Sequence, residues 1–157
     1  MAKNKKKMPH LIADNRKAGH DYFLGERFEA GLALEGWEVK SIRFGHVQLK
    51  ESYIIVKKGQ AFLIGSHITP LKTISLQSKA DPYRIRKLLL NARELNKVIG
   101  ATQQKGYTIV PLNLHWKRQW IKLEIALAKG KKAYDKRESE KKRDWQKEQQ
   151  RLKKSFN

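Results

Sequence analysis

The sequence predicts a mainly β protein with added helices, in which an OB-type barrel, closed or partly open, is followed by a C-terminal tail that is disordered in isolation. Three observations support this fold class. Two pairs of segments alternate apolar and polar residues around short turns, one helix signal lies between these pairs, and the end of the chain is too charged to form a core. Barrels of this type often bind oligonucleotides, although a fold alone does not establish a function.

The composition suits one basic domain. The chain has 157 residues, of which 39% are hydrophobic, and this is enough for one modest core. It contains no cysteine, which excludes disulfides, thiol nucleophiles and thiolate metal sites. Lys and Arg number 35 against 15 Asp and Glu, so the formal charge is +20. This excess predicts a polyanionic partner, for which nucleic acid is the first candidate.

Charge density divides the chain into three parts. Residues 1–20 are predicted to form a basic N-terminal arm that leads into the barrel, residues 21–128 the barrel, and residues 129–157 a basic C-terminal tail. Neither end has the apolar content to fold alone. No apolar run is long enough to span a membrane, and the lysines at the start are not followed by an apolar signal segment. We therefore expect a cytoplasmic protein without a membrane partner.

The first long strand is predicted over residues 22–34. The pattern there is apolar and compatible with β structure, and the interruptions at Gly25 and Gly31 indicate a strand that is bent by a bulge or curled at a barrel corner. The segment that follows is too short and too polar for a core strand. The spacing of Val39 and Ile42 favours a short helix or turn at that point.

Two hairpins are predicted farther along the chain. The first joins residues 52–56 to residues 61–68 through a short connection. The second joins residues 107–116 to residues 120–127, which alternate apolar and polar positions. Pro111 lies inside the second hairpin and indicates an edge or bulge position, because proline cannot donate a ladder hydrogen bond.

One helix is predicted between the hairpins, over about residues 82–100. Asp81 is suited to the N-cap, Pro82 to the first helical position, and apolar residues recur at helical spacing as far as Ile99. Gly100 is the predicted stop. The other faces of this helix would carry the cations Arg84, Arg86, Lys87, Arg93 and Lys97.

Catalytic and metal-binding patterns are not found in the sequence. The five histidines have no metal-ligand spacing, and no serine lies among the glycines of a nucleophile elbow. The triplet Gly130-Lys131-Lys132 lacks the earlier glycine and the following Ser or Thr of a phosphate-binding loop. We therefore expect no metal, no cofactor and no enzymatic activity.

The tail has a one-sided aromatic pattern. If the tail is helical from Lys132, one narrow stripe holds Tyr134, Trp145, Leu152 and Phe156. So few apolar residues cannot offset the cost of ordering the chain in water, so we expect a tail that is helical only on a partner. The alternative is a helix that folds back on the barrel through Trp145.

Several short strings of residues occur together in a specific order. They are Asn15-Arg16-Lys17-Ala18, His20-Asp21-Tyr22-Phe23, Phe28-Glu29-Ala30-Gly31, Gly36-Trp37-Glu38-Val39-Lys40-Ser41, Ser52-Tyr53, His67-Ile68-Thr69-Pro70, Arg86-Lys87-Leu88-Leu89-Leu90, Gly130-Lys131-Lys132 and Asp135-Lys136-Arg137. Over nearly the whole chain they resemble the SsrA-binding protein family, also called small protein B. Two mild departures, Glu51 where Asp is usual and Leu71 after Pro70, lie outside the site residues named below.

The resemblance implies an OB-type barrel that binds the tRNA-like domain of transfer-messenger RNA and delivers it to stalled 70S ribosomes for trans-translation. In this family the barrel replaces the missing anticodon half of a tRNA, and the tail becomes helical in the empty messenger channel near the decoding centre. The partners implied are transfer-messenger RNA, the stalled ribosome and the elongation factor that delivers aminoacyl-tRNA. We expect the chain to be a monomer without a cofactor.

The resemblance also suggests which residues contact RNA. Asn15, Glu29 and Leu89 match family positions implicated in RNA binding. The neighbouring cations that we add on physical grounds, as phosphate ligands, are Arg16, Lys17, Arg84, Arg86 and Lys87. Glu29 is expected to orient a nearby Lys or Arg, or to accept a hydrogen bond from a base amino group. Leu89 is either a core residue or an RNA contact, and the sequence leaves both possibilities open.

The tail residues that match the family's ribosome-engaging segment are Gly130, Lys131, Lys132, Asp135, Lys136 and Arg137. Tyr134 precedes the aspartate, where its ring is suited to stacking on a ribosomal RNA base, and Trp145 would anchor the helix farther along the channel. Two other functions remain as alternatives: a permanent ribosomal-RNA-binding component of a ribosomal subunit and, less favoured, a small basic ribonuclease.

Overall fold

The computed structural model describes residues 10–72 and 80–131, and it is mainly β with few helices. In chain order the elements are β1 (Leu11–Asp14), α1 (Arg16–Asp21), β2 (Tyr22–Leu32), α2 (Gly36–Arg43), β3 (Val47–Gln48), β4 (Tyr53–Lys57), β5 (Gln60–Ile64), β6 (His67–Ile68), β7 (Arg86–Leu89), α3 (Ala92–Thr102), β8 (Tyr107–Lys117) and β9 (Trp120–Gly130). The expectation of a mainly β fold with added helices is confirmed.

Six strands are hydrogen-bonded in a ring. The order of the larger sheet is β1-β8-β4-β5-β7-β2-β9, and a second pairing of β9 with β8 closes the ring. β1 lies outside the ring, beside the half of β8 around Asn113, while β4 pairs with β8 at Ile109. β3 and β6 form a separate two-stranded pair. The strand β8 therefore connects β1 to the ring.

Apolar side chains form two clusters, one on each side of the long strands. The main core includes Ala30, Ile109, Leu123 and Ile125, all without solvent exposure. A smaller cluster on the opposite side packs Ala18 of α1 against β8 and β9. Because alternate residues of a strand point to opposite faces, the long strands are covered on both faces near α1.

The two bulges suggested by the sequence are present. The register of β2 against β9 shifts between Leu24 and Arg27, beside Gly25. The register of β8 against β9 shifts between Pro111 and Asn113, as the proline predicts. Bulges of this kind increase strand twist, so β2 and β8 can curve around the core.

The hairpins and the short helix are also confirmed, except that the strand predicted over residues 61–68 ends at Ile64, while His67–Ile68 form β6 and pair with β3. β4 and β5 pair from Tyr53 opposite Ile64 to Lys57 opposite Gln60, so the connection is shorter than predicted. Lys58 and Gly59 have φ values of 51° and 71°, as a tight turn between twisted strands requires. The turn predicted around Val39 and Ile42 is the helix α2.

The helix predicted over residues 82–100 is wrong in its first half. Arg86–Leu89 form the strand β7, which pairs with β2 and β5, and the helix begins only at Ala92 and passes Gly100 to end at Thr102. In β7 the side chains alternate, so Arg86 and Leu88 are buried while Leu89 is exposed. Pairing with two strands and burial of alternate residues outweigh the helical spacing of the apolar residues.

The N-cap explains why α3 begins at Ala92 and not near residue 82. The Asn91 side chain accepts a hydrogen bond from the backbone N–H of Glu94 at 2.8 Å, which is the N-cap of α3. The predicted cap, Asp81, accepts instead from the backbone N–H of Tyr83 at 2.9 Å, in a turn that does not continue as a helix.

Two predicted boundaries also change. Leu11–Asp14, placed in the N-terminal arm by its charge, pairs with β8 and belongs to the sheet. At the other end β9 continues to Gly130, which pairs with Tyr22, so the ordered sheet extends past residue 128. The predictions for the rest of the tail concern residues outside the described ranges. Within those ranges, no helix has the length and apolar content needed to cross a membrane.

Candidate nucleic-acid interface

Two rows of cross-strand neighbours run over the outer face, which we define as the side of β8, β9, β2 and β7 that points away from the main core. The first row, in order from β8 to β7, consists of His115, Lys122, Gly31 and Leu89. The second row, beside it, consists of Asn113, Glu124 and Glu29. Residues that pair across antiparallel strands share a face. Glu29 and Leu89, two predicted RNA contacts, are therefore brought onto one surface.

The Glu29 carboxylate is held by two residues of β8. His115 Nε2 lies 3.0 Å from one carboxylate oxygen, and Lys117 Nζ donates to the other at 3.0 Å. The second ring nitrogen of His115 lies 2.8 Å from the Asn113 side-chain oxygen. Of the two roles predicted for Glu29, this geometry favours the one in which Glu29 orients a neighbouring lysine.

This environment lowers the pKa of Glu29 below its ordinary value. The hydrogen bond with His115 is the largest cause, partial burial opposes it, and Lys117 adds a hydrogen bond and a favourable charge. Glu29 is therefore a stable anion at neutral pH. The two partners were missed in the sequence because they lie 86 and 88 residues away from Glu29.

Leu89 is exposed, so it does not take the core position that the sequence left open, and RNA contact stays a prediction. Its side chain is 52% accessible, and it lies opposite Gly31 on β2. A Cβ atom added to Gly31 would come within 3.2 Å of the Leu89 Cβ. The absence of a side chain at Gly31 therefore provides the space that the Leu89 side chain occupies. Lys87 is partly buried and shares the strand face of Leu89. Leu89 is therefore an apolar surface residue beside cations and not part of the core.

Arg86 does not fit its predicted role as a phosphate ligand. Its side chain is 0% exposed, and all three guanidinium nitrogens are engaged. Nε donates to Glu38 at 2.6 Å, one terminal nitrogen donates to the carbonyl and hydroxyl oxygens of Ser66, both at 2.9 Å, and the other donates to the Pro82 carbonyl at 3.1 Å. The correction follows from the strand conformation, because β7 turns Arg86 inward.

Arg84 is also committed to internal contacts. It forms ion pairs with Glu38 and, at 3.3 Å, with Glu35, and it donates to the Ala33 carbonyl at 3.0 Å. Burial is the largest influence on Glu38 and raises its pKa, but the hydrogen bonds from Arg84, from the Glu35 backbone and from Arg86 reverse the direction and lower it. Glu38 is therefore an ionised, buried carboxylate between two arginines, and little of the charge of Arg84 remains for a ligand.

Asn15 is close to the outer face but makes structural hydrogen bonds. Its side-chain amide donates to the Pro111 carbonyl at 2.8 Å, and its backbone N–H donates to the Leu112 carbonyl at 2.8 Å. Asn15, Arg27 and Asn113 line one open cavity of about 210 Å³. Asn15 thus joins α1 to β8 next to the Glu29 cluster.

The two cations that follow Asn15 are exposed. Arg16 has a side chain that is 92% accessible and lies 3.7 Å from Asp14. Lys17 lies 3.8 Å from Glu51. Exposed pairs at these distances are weak, so both side chains remain available to phosphates. Asn15 lines two cavities, one of which is also lined by Arg16 and the other by Lys17.

The root of the tail is described as far as Lys131. Gly130 is the last residue of β9, and Lys131 Nζ donates to the Gly19 carbonyl at 3.3 Å while lying 5.4 Å from the centre of the Phe23 ring. The other predicted tail residues lie outside the described ranges; they are Lys132, Tyr134, Asp135, Lys136, Arg137 and Trp145.

A mainly β ring whose outer face combines cations with exposed apolar side chains is typical of small basic RNA-binding proteins. The model of one protein family, described as SmpB protein, matches residues 12–155. The chain belongs to the SmpB family, which is a family of RNA-binding proteins.

Curated relatives support the same assignment. The SsrA-binding protein of Ralstonia nicotianae is 62% identical over 141 residues, which cover 90% of this chain and 95% of the relative. The SsrA-binding protein of Thiobacillus denitrificans is 63% identical with the same coverage. The SsrA-binding protein of Coxiella burnetii strain Dugway 5J108-111 is 57% identical over 152 residues, covering 97% and 96%.

A solved structure supports it as well. It is described as "tmRNA-SmpB: a journey to the center of the bacterial ribosome", and it contains a chain 41% identical in sequence, with a TM-score of 0.63. The superposition covers 75% of this chain and 82% of that chain. The resemblance found in the sequence is therefore confirmed at the level of the family.

Proposed function

We propose that this protein is an RNA-binding adaptor of trans-translation, which binds the tRNA-like domain of transfer-messenger RNA and delivers that RNA to stalled 70S ribosomes. Relatives that cover almost the whole chain are named SsrA-binding proteins, and a similar solved chain comes from work on tmRNA-SmpB in the bacterial ribosome. The observation that carries the proposal is the common surface of Glu29 and Leu89.

The outer face has the chemistry required to hold folded RNA. Lys117 and Lys122 supply positive charge for phosphates, and Leu89 supplies an apolar contact for a ribose or a base edge. Glu29 does not face phosphate alone, because Lys117 forms an ion pair with it and His115 lies within hydrogen-bond distance of its other oxygen. The other carboxylate in these two rows, Glu124, is paired with Arg27 at 3.0 Å. Both carboxylates of the two rows therefore have a cationic partner when the face approaches an RNA backbone.

The tail is the second part of the proposal. β9 ends at Gly130, which pairs with Tyr22 at the start of β2, and Lys131 contacts α1 through the Gly19 carbonyl. We assign residues 132–157 to the empty messenger channel near the decoding centre, where the aromatic stripe and the dense positive charge would meet ribosomal RNA. In this assignment Tyr134 stacks on a base and Trp145 anchors the helix.

The remaining parts of the proposal follow from this role. The adaptor acts as a cytoplasmic monomer, binds without catalysing a reaction, and enters the ribosome together with the elongation factor that carries aminoacyl-tRNA. Its work consists of presenting one RNA to another. The alternative of a permanent ribosomal-RNA-binding protein is less favoured because the relatives are named for SsrA RNA.

Sequencing the RNA that copurifies with the full-length protein tests the proposal. After a wash in high salt, we expect one non-ribosomal RNA, transfer-messenger RNA, to remain bound, and we expect the protein to leave the ribosomes. Retention in ribosomal subunits with ribosomal RNA alone would support the permanent component instead. Shortening of purified RNA during prolonged incubation with the protein would support a nuclease.

A further inference from the structure

The tip of the β8–β9 hairpin carries an exposed indole. Trp120 is 62% accessible and pairs with Lys117 across the hairpin, at the start of β9. Its neighbour Ile121 packs against the main core, so the ring of Trp120 points to the outer face. Among the described residues, Trp120 belongs to neither apolar cluster. An indole in this position contributes little to the stability of the fold, and it leaves a large apolar surface in contact with water.

The charges around this ring all have one sign. Lys117 is 64% exposed at its side chain, Arg118 occupies the turn with φ of 57°, and Lys122 lies two residues along the same face of β9. No Asp or Glu occurs between residues 116 and 123. The nearest carboxylate in the contacts of the tip is Glu29, which is already held by Lys117 and His115.

An aromatic ring among cations is suited to single-stranded nucleic acid. A base offers a flat π-face to the indole, and its flanking phosphates offer partners to the lysines and the arginine. A protein partner would be expected to use a larger apolar area around the ring, and here the adjoining positions are charged. The occupant that fits this chemistry is an unpaired nucleotide of a folded RNA.

The tip is continuous with the outer face described above. Lys122 separates Trp120 from Glu124 along β9, and the same Lys122 is the cross-strand neighbour of Gly31, next to Leu89. An RNA that covers Leu89 and Lys122 would therefore reach the tip without leaving the protein surface.

We propose that Trp120 is a stacking platform for an unpaired base of the bound RNA, with Lys117 and Arg118 on the flanking phosphates and with Glu29 as the positioning residue that holds Lys117. This inference rests on the proposed function, because it takes transfer-messenger RNA as the RNA that covers the outer face. It adds a binding residue at the hairpin tip and gives Glu29 an indirect role.

The experiment compares full-length variants in titrations with transfer-messenger RNA and with an unrelated structured RNA of similar length. Trp120→Ala removes the ring, Trp120→Phe keeps a smaller ring, and Phe44→Ala removes a matched exposed aromatic at the end of α2, which is not one of the strands of the outer face. Circular dichroism and thermal unfolding check that each variant is folded.

We expect Trp120→Ala to weaken binding of transfer-messenger RNA by roughly tenfold to a hundredfold, as loss of one base–aromatic stack implies. Trp120→Phe should retain most of the affinity, and Phe44→Ala should bind like the wild type. Stacking also quenches indole fluorescence, so RNA-dependent quenching should be present in the wild type and reduced in Trp120→Phe. The quenching readout decides the question even if Trp120→Ala fails to fold.

Two results would overturn the inference. One is a Trp120→Ala variant that is folded and binds with wild-type affinity, and the other is full quenching retained in Trp120→Phe. A wild-type protein that does not prefer transfer-messenger RNA to the unrelated RNA would overturn the proposed function itself. The wild-type titration thus separates the failure of the function from the failure of the stacking site.

Discussion

Arg86 and Glu38 form an ion pair in which both side chains are fully buried, with Nε and Oε2 2.6 Å apart. Glu38 lies in the first turn of α2, where its side chain also accepts from the Glu35 backbone N–H at 2.7 Å. Arg86 is the first residue of β7, the strand that carries Lys87 and Leu89. The pair therefore fixes the position of α2 against a strand of the outer face.

Removing one member of this pair should destabilise the fold strongly. Glu38→Gln keeps the size of the side chain but leaves the Arg86 charge buried without its counterion, which typically costs about 3–5 kcal/mol. Urea unfolding of the two proteins measures the difference. The control is Glu26→Gln, which breaks the exposed pair of Glu26 with Lys97 at 3.1 Å and should cost less than about 1 kcal/mol. Equal losses in both variants would contradict a special role for the buried pair.

Gly31 is expected to be required for RNA binding. In Gly31→Ala the new Cβ meets the Leu89 Cβ at 3.2 Å, so Leu89 must move. We expect a loss of stability of about 1–3 kcal/mol if the strands cannot adjust, and a lower affinity for transfer-messenger RNA. Gly25→Ala is the matched control, because its new Cβ would lie 3.6 Å from the nearest atom, an ordinary contact. Filter binding and thermal unfolding of both variants test the prediction, and wild-type affinity in Gly31→Ala would contradict it.

The hairpins, the bent β2 and the short helix α2 could be predicted because each depends on local patterns and turn residues. The boundary between β7 and α3 could not, because residues 85–99 satisfy a helical spacing throughout. The strand wins through Arg86, whose buried partner Glu38 lies 48 residues away. The N-cap of α3 is Asn91, which accepts from the Glu94 backbone N–H, and not Asp81 as the sequence predicted.

Contacts between residues far apart in the sequence also limit what the sequence reveals about the site. Glu29 and Leu89 were found through the family resemblance, but their partners were not, since His115 and Lys117 come from a strand far along the chain. Arg86 was misassigned because a surface cation and a buried one look alike in a sequence. The alternation of residues 120–127 places Trp120 opposite the apolar face of β9, but its pairing with Lys117 requires the register.

The pKa of Glu29 should depend on its two partners. In the wild type we expect an NMR titration midpoint for the Glu29 carboxyl below the ordinary value of 4.5. His115→Gln and Lys117→Met should each raise it, with the larger effect from His115, whose hydrogen bond is the largest cause of the shift. An unchanged midpoint in both variants would contradict the arrangement described for the cluster.

The sign of the effect on stability follows from the direction of this shift. Because folding lowers the pKa of Glu29, its contribution to stability is present above pH 4.5 and is lost as the pH falls through the folded pKa. Glu29→Gln should therefore show a smaller loss of unfolding free energy than the wild type between pH 4.5 and more acidic conditions. At neutral pH the same variant should bind transfer-messenger RNA less tightly, because Lys117 loses its ionic partner.

The two-part organisation predicts that the tail can be removed without loss of RNA binding. β9 ends at Gly130, which pairs with Tyr22, so a chain that stops after Lys131 keeps every strand of the sheet. We expect this truncated protein to unfold at the same temperature as the full chain and to bind transfer-messenger RNA with similar affinity. It should nevertheless fail to support tagging on stalled ribosomes in a reconstituted translation reaction, because the messenger channel would be left empty.

A shorter chain, which stops after Ala128, provides the control for this experiment. Stopping after Ala128 removes Lys129 and Gly130, and with them the pairing of β9 to Tyr107 of β8 and to the first two residues of β2. This protein should be less stable than the chain that stops after Lys131, because the closing strand of the ring is shortened at both of its edges. If the chain that stops after Lys131 is folded but loses affinity for transfer-messenger RNA, the tail contributes to RNA binding and the division into two separate surfaces is wrong. If it supports tagging at the full rate, the channel is not the site of the tail.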